Sequence, residues 1–218
     1  MLPFYVFYSC FGFQRIGDLI WAAGDVQARG FMLGGTAGRT TLAGEGLQHQ
    51  DGQSHVLALS VPNLRAYDPA FAFELAAIIK DGIRRMYVEQ EDVFYYITAG
   101  NEPYPMPPQP KGTEEGILRG MYRYRPSGDS SAELRAQLFG SGAILNEALR
   151  AQEILASRFN IPADVWSVTS YKELYVDGTA CERWNRLHRD QEHRTPWIRQ
   201  CLDGTDGVYV IASDYVKA

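Results

Sequence analysis

Cysteine is scarce, 3 in 218 residues. Cys10, Cys181 and Cys201 are odd in number and unpatterned, which argues against a disulfide framework or a zinc site and suits a reducing cytoplasm. Charge is modest, at 22% of residues with a net of -5, so no broad field draws nucleic acid or an anionic bilayer. No apolar run approaches the roughly 20 residues that cross a membrane. The first residues lack the basic-then-apolar pattern of a secretion signal. Fixed-period repeats and low-complexity tracts are absent. Neither the histidines nor the acids have metal-ligand spacing, so the residues by themselves predict no metal.

Hydrophobic residues make up 45% of the chain, enough for a substantial core. An apolar run, Leu2–Tyr8, stands at one end and another, Val208–Ala212, at the other. Chain termini are usually polar, so the chain reads as a piece of something longer. Leu2–Tyr8 reads as a buried strand, followed by helical spacing over Phe11–Arg29, with Gly30 as a left-handed stop. A strand at 31–33 then completes a parallel βαβ unit. A strand at 64–67 leads to a helix over Ala70–Met86, with Asp68 as its cap and Pro69 in its first turn. Asp92–Thr98 reads as a further buried strand.

Asn101–Gly112 holds five prolines and forms a semi-rigid connector at a domain boundary. The α/β alternation then resumes. It comprises a short helix at 113–119, an edge strand at 121–125, a turn at 127–131, a strand at 134–139 and a helix over 144–159. A strand at 164–168, a partly helical stretch at 171–187, a helix at 195–202 capped by Thr195 with Pro196 at its first position, and a strand at 208–212 follow. This order predicts a mostly parallel, three-layer α/β architecture.

The informative stretch is GGTAGRTTLAGEGLQHQDGQSH, residues 34–55, with six glycines, two histidines, two acids and one arginine. So long an irregular segment after a strand is uncommon unless it carries function. His49 is the candidate proton-transfer group, since imidazole titrates near neutral pH. Glu45, four residues earlier, either orients that imidazole or is a solvated acid. Arg39 either binds an anion or fastens the loop. His55, beside an apolar run, suits local hydrogen bonding. Residues 34–38 lack the Gly-Lys-Ser/Thr ending of a phosphate-binding loop. Tyr8 and Phe11, joining the first strand to its helix, either stack on a flat heteroaromatic ring or pack in the core. The cysteines suit core or surface positions rather than nucleophiles.

Several segments together carry a family likeness: YSCFGFQRIGD with WAAGD and QARGF, then the glycine- and histidine-rich stretch, then Tyr67-Asp68-Pro69. Tyr95-Tyr96-Ile97-Thr98, the proline-rich connector, Ser167-Val168-Thr169-Ser170 and Glu182-Arg183-Trp184-Asn185 extend it over nearly the whole chain. The sequence resembles the thiamine-diphosphate-dependent, acetyl-transferring pyruvate dehydrogenase component of the homodimeric bacterial type. The resemblance implies a transketolase-like α/β fold: residues 1–105 as the later part of the middle, pyrimidine-binding domain, and 106–218 as a truncated carboxy-terminal domain. By position, Phe11 matches the aromatic that packs on the aminopyrimidine, Tyr8 a tyrosine near thiazolium and substrate, and His49 the active-site histidine. Cys10 stands where methionine is commoner.

The implied activity is oxidative decarboxylation of pyruvate and acetylation of lipoyl groups on dihydrolipoamide acetyltransferase, by a cytoplasmic homodimer. The implied cofactors are thiamine diphosphate and magnesium, with the magnesium ligands outside this chain, so the segment alone is expected to be inactive. The competing readings are a non-catalytic assembly module and a transketolase or other 2-oxoacid dehydrogenase.

Overall fold

A computed structural model describes residues 1–40, 46–128 and 134–217. Its first sheet contains β1 (Phe4–Tyr8), β2 (Phe31–Gly35), β3 (Leu64–Tyr67) and β4 (Phe94–Ala99) in the order β1-β2-β4-β3, every neighbouring pair parallel. Side chains alternate between two apolar layers, as the two-residue period of a strand requires. Phe31, Tyr67, Tyr95 and Ile97 pack on α3 (Ala72–Ile83) and α4 (Glu114–Arg119). Leu64, Ala66, Phe94 and Tyr96 pack on α1 (Ser9–Asp25) and α2 (Ser54–Leu59).

The second sheet runs β5-β7-β6-β8, formed by β5 (Tyr122–Arg125), β6 (Ala136–Gly140), β7 (Ala163–Ser167) and β8 (Val208–Ala212). Only its edge strand β5 is antiparallel to its neighbour. Leu138 and Val165 face α5 (Ile144–Phe159), whereas Phe139 and Trp166 face α6 (Tyr171–Leu187) and α7 (Trp197–Leu202). Each sheet is therefore the middle of three layers.

Several local expectations are corrected. β1 is not buried: Phe4, Tyr5, Val6 and Tyr8 are 45–67% exposed, because the strand lies at a sheet edge. Aromatic composition marks a strand but cannot distinguish a covered position from an edge. α1 ends at Asp25, and Gln27, with φ +54°, takes the left-handed turn expected of Gly30. Gly30 instead lets Pro3 approach: a Cβ there would lie 2.7 Å from Pro3 Cγ.

The run after His55 is the short helix α2, which already begins at Ser54. α3 starts at Ala72 rather than on Asp68 and Pro69, and the Glu74 carboxylate reaches back to the N–H groups of Phe71 (3.1 Å) and Ala70 (2.5 Å). It closes in a π-helical turn at Arg84–Val88. α7 starts at Trp197, whose N–H donates to Asp177 Oδ2 at 2.6 Å; Asp177 of α6 fills the role expected of Thr195, and Pro196 lies just before the helix. The turn expected at 127–131 lies partly outside the described residues.

Polar bonds fasten the two sheet units to each other. Lys172 of α6, 3% exposed, donates to Ala58 O (2.7 Å) and Val61 O (2.5 Å) at the carboxyl end of α2. Ser170 Oγ donates to Ala66 O at 2.6 Å, and Asp68 N–H to Thr169 O at 2.7 Å. Glu74, wholly buried, accepts from Tyr122 Oη (2.7 Å) and Ser167 Oγ (2.6 Å). Since buried donors and acceptors are costly unless paired, these bonds fix how the units meet.

Candidate functional site

β1 hands over to α1 without a spacer, so Tyr8 ends the strand and Phe11 stands in the first helical turn. The carboxyl end of β2 closes on this junction because residue 34 is glycine: a Cβ there would lie 2.6 Å from Tyr96 Oη and 2.9 Å from Ser9 Cβ. The chain leaving β2 returns through a 3₁₀ turn, Leu47–His49, which sets the imidazole beside both aromatics. Ring centroids are 5.1 Å apart for Tyr8 and His49, 5.5 Å for Phe11 and His49, and 6.0 Å for Tyr8 and Phe11. Tyr8 is half exposed, and the Arg15 guanidinium lies 4.2 Å from the Phe11 centroid. His49 is half-buried, with Nδ1 turned away from solvent. Glu45 lies outside the described residues.

The loop that carries His49 is tied at its base. Asp51 N–H donates to Gly38 O at 3.0 Å. The Asp51 carboxylate, 2% exposed, accepts from Gln53 N (3.1 Å), Ser54 N (3.0 Å) and Ser54 Oγ (2.5 Å), capping α2. Arg39 lies flat on Gly52, its Nε and Cζ 3.2 Å from where a Cβ would stand. This packing accords with the fastening role considered for Arg39. From the second unit, Asp214 accepts from Arg39 N (3.0 Å), Thr40 N (3.3 Å) and Thr40 Oγ1, and Val216 N donates to Gly52 O (2.9 Å).

His55 does not join the three rings, and its bonding is long-range rather than local. Its Nε2 meets Thr98 Oγ1 on β4 at 2.9 Å, and its ring stands edge-on to Tyr215 at 4.5 Å. Thr98 donates to Asp68 Oδ1 at 2.6 Å, so Nε2–H of neutral His55 is the donor to Thr98. Burial drives both titratable ends toward neutrality: His55 falls to about 4 and Asp68 rises to about 6. The cysteines are unpaired; Cys10 is 3% exposed, and burial raises its thiol pKa.

Arg15, Asp51, Asp68, Thr98 and Asp214 escaped the sequence reading as site residues. A weak signal existed for Asp51, since an aspartate in an Asp-Gly turn just ahead of an apolar run often bonds the backbone two or three residues on. None existed for Asp214, which lies 174 residues beyond Thr40. Among the described residues no group of three or more His, Cys, Asp or Glu is placed to hold a metal ion. None of the described helices is long and apolar enough to cross a membrane. What the site offers is an open aromatic surface, one titratable imidazole and an arginine, grouped at the carboxyl ends of parallel strands, where α/β folds bind ligands.

The description "Pyruvate dehydrogenase E1 component middle domain" matches residues 1–107, and "Transketolase-like TK C-terminal domain" matches residues 120–218. The pyruvate dehydrogenase E1 component of Pseudomonas aeruginosa is 57% identical over 217 residues, 100% of this chain and 24% of the relative. Among solved structures, transketolase from Leishmania mexicana superposes with a TM-score of 0.71 at 16% identity, over 99% of this chain and 28% of that one. A split-gene transketolase, described as an inactive β4 tetramer, gives 0.62 at 17% identity over 97% of this chain and 66% of that one. The structural neighbours establish a transketolase-like fold, and the chain spans about a quarter of the length of the curated relatives it matches. On two domain descriptions that together take in nearly every residue, and on identity above one half along its length, the chain belongs to the pyruvate dehydrogenase E1 family.

Proposed function

We propose that this chain supplies one wall of a thiamine diphosphate site in an acetyl-transferring pyruvate dehydrogenase. The observation that carries the proposal is the grouping of Tyr8, Phe11 and His49 within 5.1–6.0 Å, with aromatic surface left open to solvent. The cofactor fits this surface: a flat aminopyrimidine stacks on an accessible phenyl ring, and the edge of Tyr8 offers a hydroxyl. Bound there, thiamine diphosphate supplies the electron sink that lets a 2-oxoacid lose carbon dioxide. Phe11 holds and orients the pyrimidine. Tyr8 donates a hydrogen bond toward the substrate. His49 moves a proton to and from the substrate oxygen, then serves the acetyl transfer to a lipoyl sulfur.

Pyruvate, the lipoylated acetyltransferase, a homodimeric cytoplasmic assembly and magnesium all belong to this reading. On this reading the cation and the diphosphate are held by segments of the complete enzyme outside these residues. The 218 residues alone are then inactive. In a complete E1 chain carrying this segment, Phe11→Ala weakens thiamine diphosphate binding by about tenfold, the scale of one aromatic stack with its burial. Calorimetric titration measures it, and unchanged affinity removes Phe11 from the cofactor site. Pyruvate turnover by the purified 218-residue chain, free of host enzyme, would overturn the assignment of the diphosphate anchor elsewhere.

A further inference from the structure

Both ends of the loop that carries His49 are tied to the other sheet unit. Asp214 follows β8 closely and is 8% exposed. Its carboxylate takes the N–H groups of Arg39 (3.0 Å) and Thr40 (3.3 Å) together with the Thr40 hydroxyl. Two residues on, Val216 N donates to Gly52 O at 2.9 Å. The same short strap thus grips both ends of the loop base, which Asp51 N and Gly38 O close across 3.0 Å. Gly38 has φ +88°, and a Cβ there would collide with Asp214 Oδ2, so the contact demands glycine. Asp68, on the other side of a small polar cleft of about 20 Å³ that Asp214 also lines, adds repulsion rather than a countercharge. The backbone donors are what satisfy Asp214. His49 lies two residues before Asp51, so displacement of the base displaces the imidazole.

We infer that Asp214 is a positioning residue for His49: by stapling residues 39–40 to the strap that also holds Gly52, the second unit sets the imidazole against Tyr8 and Phe11. This rests on the proposed function only for its kinetic consequence; the staple itself is read separately.

The test uses a complete E1 chain carrying this segment, with Asp214→Asn, Thr40→Val and the double variant. Asn keeps the size of Asp and one acceptor oxygen but loses the charge and the second acceptor that Arg39 N, Thr40 N and the Thr40 hydroxyl share. Amide hydrogen exchange over 38–52 rises in both single variants and stays unchanged over α5. Turnover falls roughly 10- to 100-fold, the scale of a displacement near 1 Å, with KM for pyruvate within about twofold. The double variant is no slower than Asp214→Asn, because both substitutions break one contact. Unaltered exchange over 38–52 overturns the staple. Raised exchange with unaltered turnover, in an enzyme whose unsubstituted form turns over pyruvate, overturns the positioning role. If exchange rises but the unsubstituted enzyme has no such turnover, the staple stands and the proposed function is what fails.

Discussion

His49 stands between a half-exposed tyrosine and a phenylalanine whose ring carries an arginine. A group in that place earns its role through proton transfer, and its removal is expected to cost what such groups usually contribute. In a complete E1 chain carrying this segment, His49→Ala lowers overall turnover by roughly 10²–10⁴. Near-normal acetyl transfer by the purified variant would take His49 out of the mechanism.

The chain His55–Thr98–Asp68 carries a second expectation, and its sign can be worked out. His55 titrates at about 4 when folded against 6.5 ordinarily, so the unfolded chain binds more protons between those values and stability falls as pH falls through that window. Asp68 titrates at about 6 when folded against 3.8, so the folded chain binds more protons there and stability falls as pH rises. The two slopes oppose one another between about pH 4 and 6. Asp68→Asn therefore steepens the loss of stability on acidification, and His55→Asn reduces it. Urea denaturation of both variants from pH 4 to 7 checks this, and parallel curves would show that burial does not perturb these groups.

At the scale of elements, α3 depends on one carboxylate for its start. Glu74 caps the helix through Ala70 N and Phe71 N and binds β5 and β7 through Tyr122 Oη and Ser167 Oγ. The two N–H groups on Oε2 can only donate, so a glutamine keeps its oxygen there and turns its amide toward the two hydroxyls, which must then reverse to accept and lose their charge-assisted bonds. Glu74→Gln is expected to lower stability by about 1–3 kcal/mol, and Glu74→Ala by more, because four donors are left unmatched. Urea midpoints measure both. A loss below about 0.5 kcal/mol, the range of an ordinary surface change, would mean the network does not hold the units together.

At the scale of the whole molecule, two sheet edges stay open among the described residues. β1 shows Phe4, Tyr5, Val6 and Tyr8, and β8 shows Val208, Tyr209, Val210 and Ile211, each at least 45% exposed. Open apolar edges invite pairing with other chains. The 218-residue chain is therefore expected to self-associate at micromolar concentration, and Val6→Lys or Val210→Lys to reduce that association. Sedimentation velocity reads the outcome; a monomer that both substitutions leave unchanged would show that these edges are not adhesive.

Local order determined much of this architecture. The helical periods read over 70–86 and 144–159, found at 72–83 and 144–159, and the β-rich runs read at 2–8, 64–67, 92–98 and 164–168, found at 4–8, 64–67, 94–99 and 163–167, were legible because those signals lie in neighbouring residues, whereas 171–187, expected to be only partly helical, is helical throughout. The likeness carried by residues 8–18 and 34–55 named the family, and Tyr8, Phe11 and His49 as its candidate residues, for the same reason: each motif is contiguous.

What remained hidden depends on pairs far apart in the chain. A buried charge needs its partners, yet no period or spacing marks which of 26 acids will meet which donors. Asp214 on Thr40, Thr98 between His55 and Asp68, and Glu74 beneath Tyr122 are settled only when two sheets pack and every desolvated polar atom must find a partner. Exposure was hidden likewise, since an apolar strand has the same composition at an edge as at a centre. The sequence determined the elements and the chemistry of the candidate side chains; the tertiary structure decided which groups meet, because solvent is excluded only where distant segments come together.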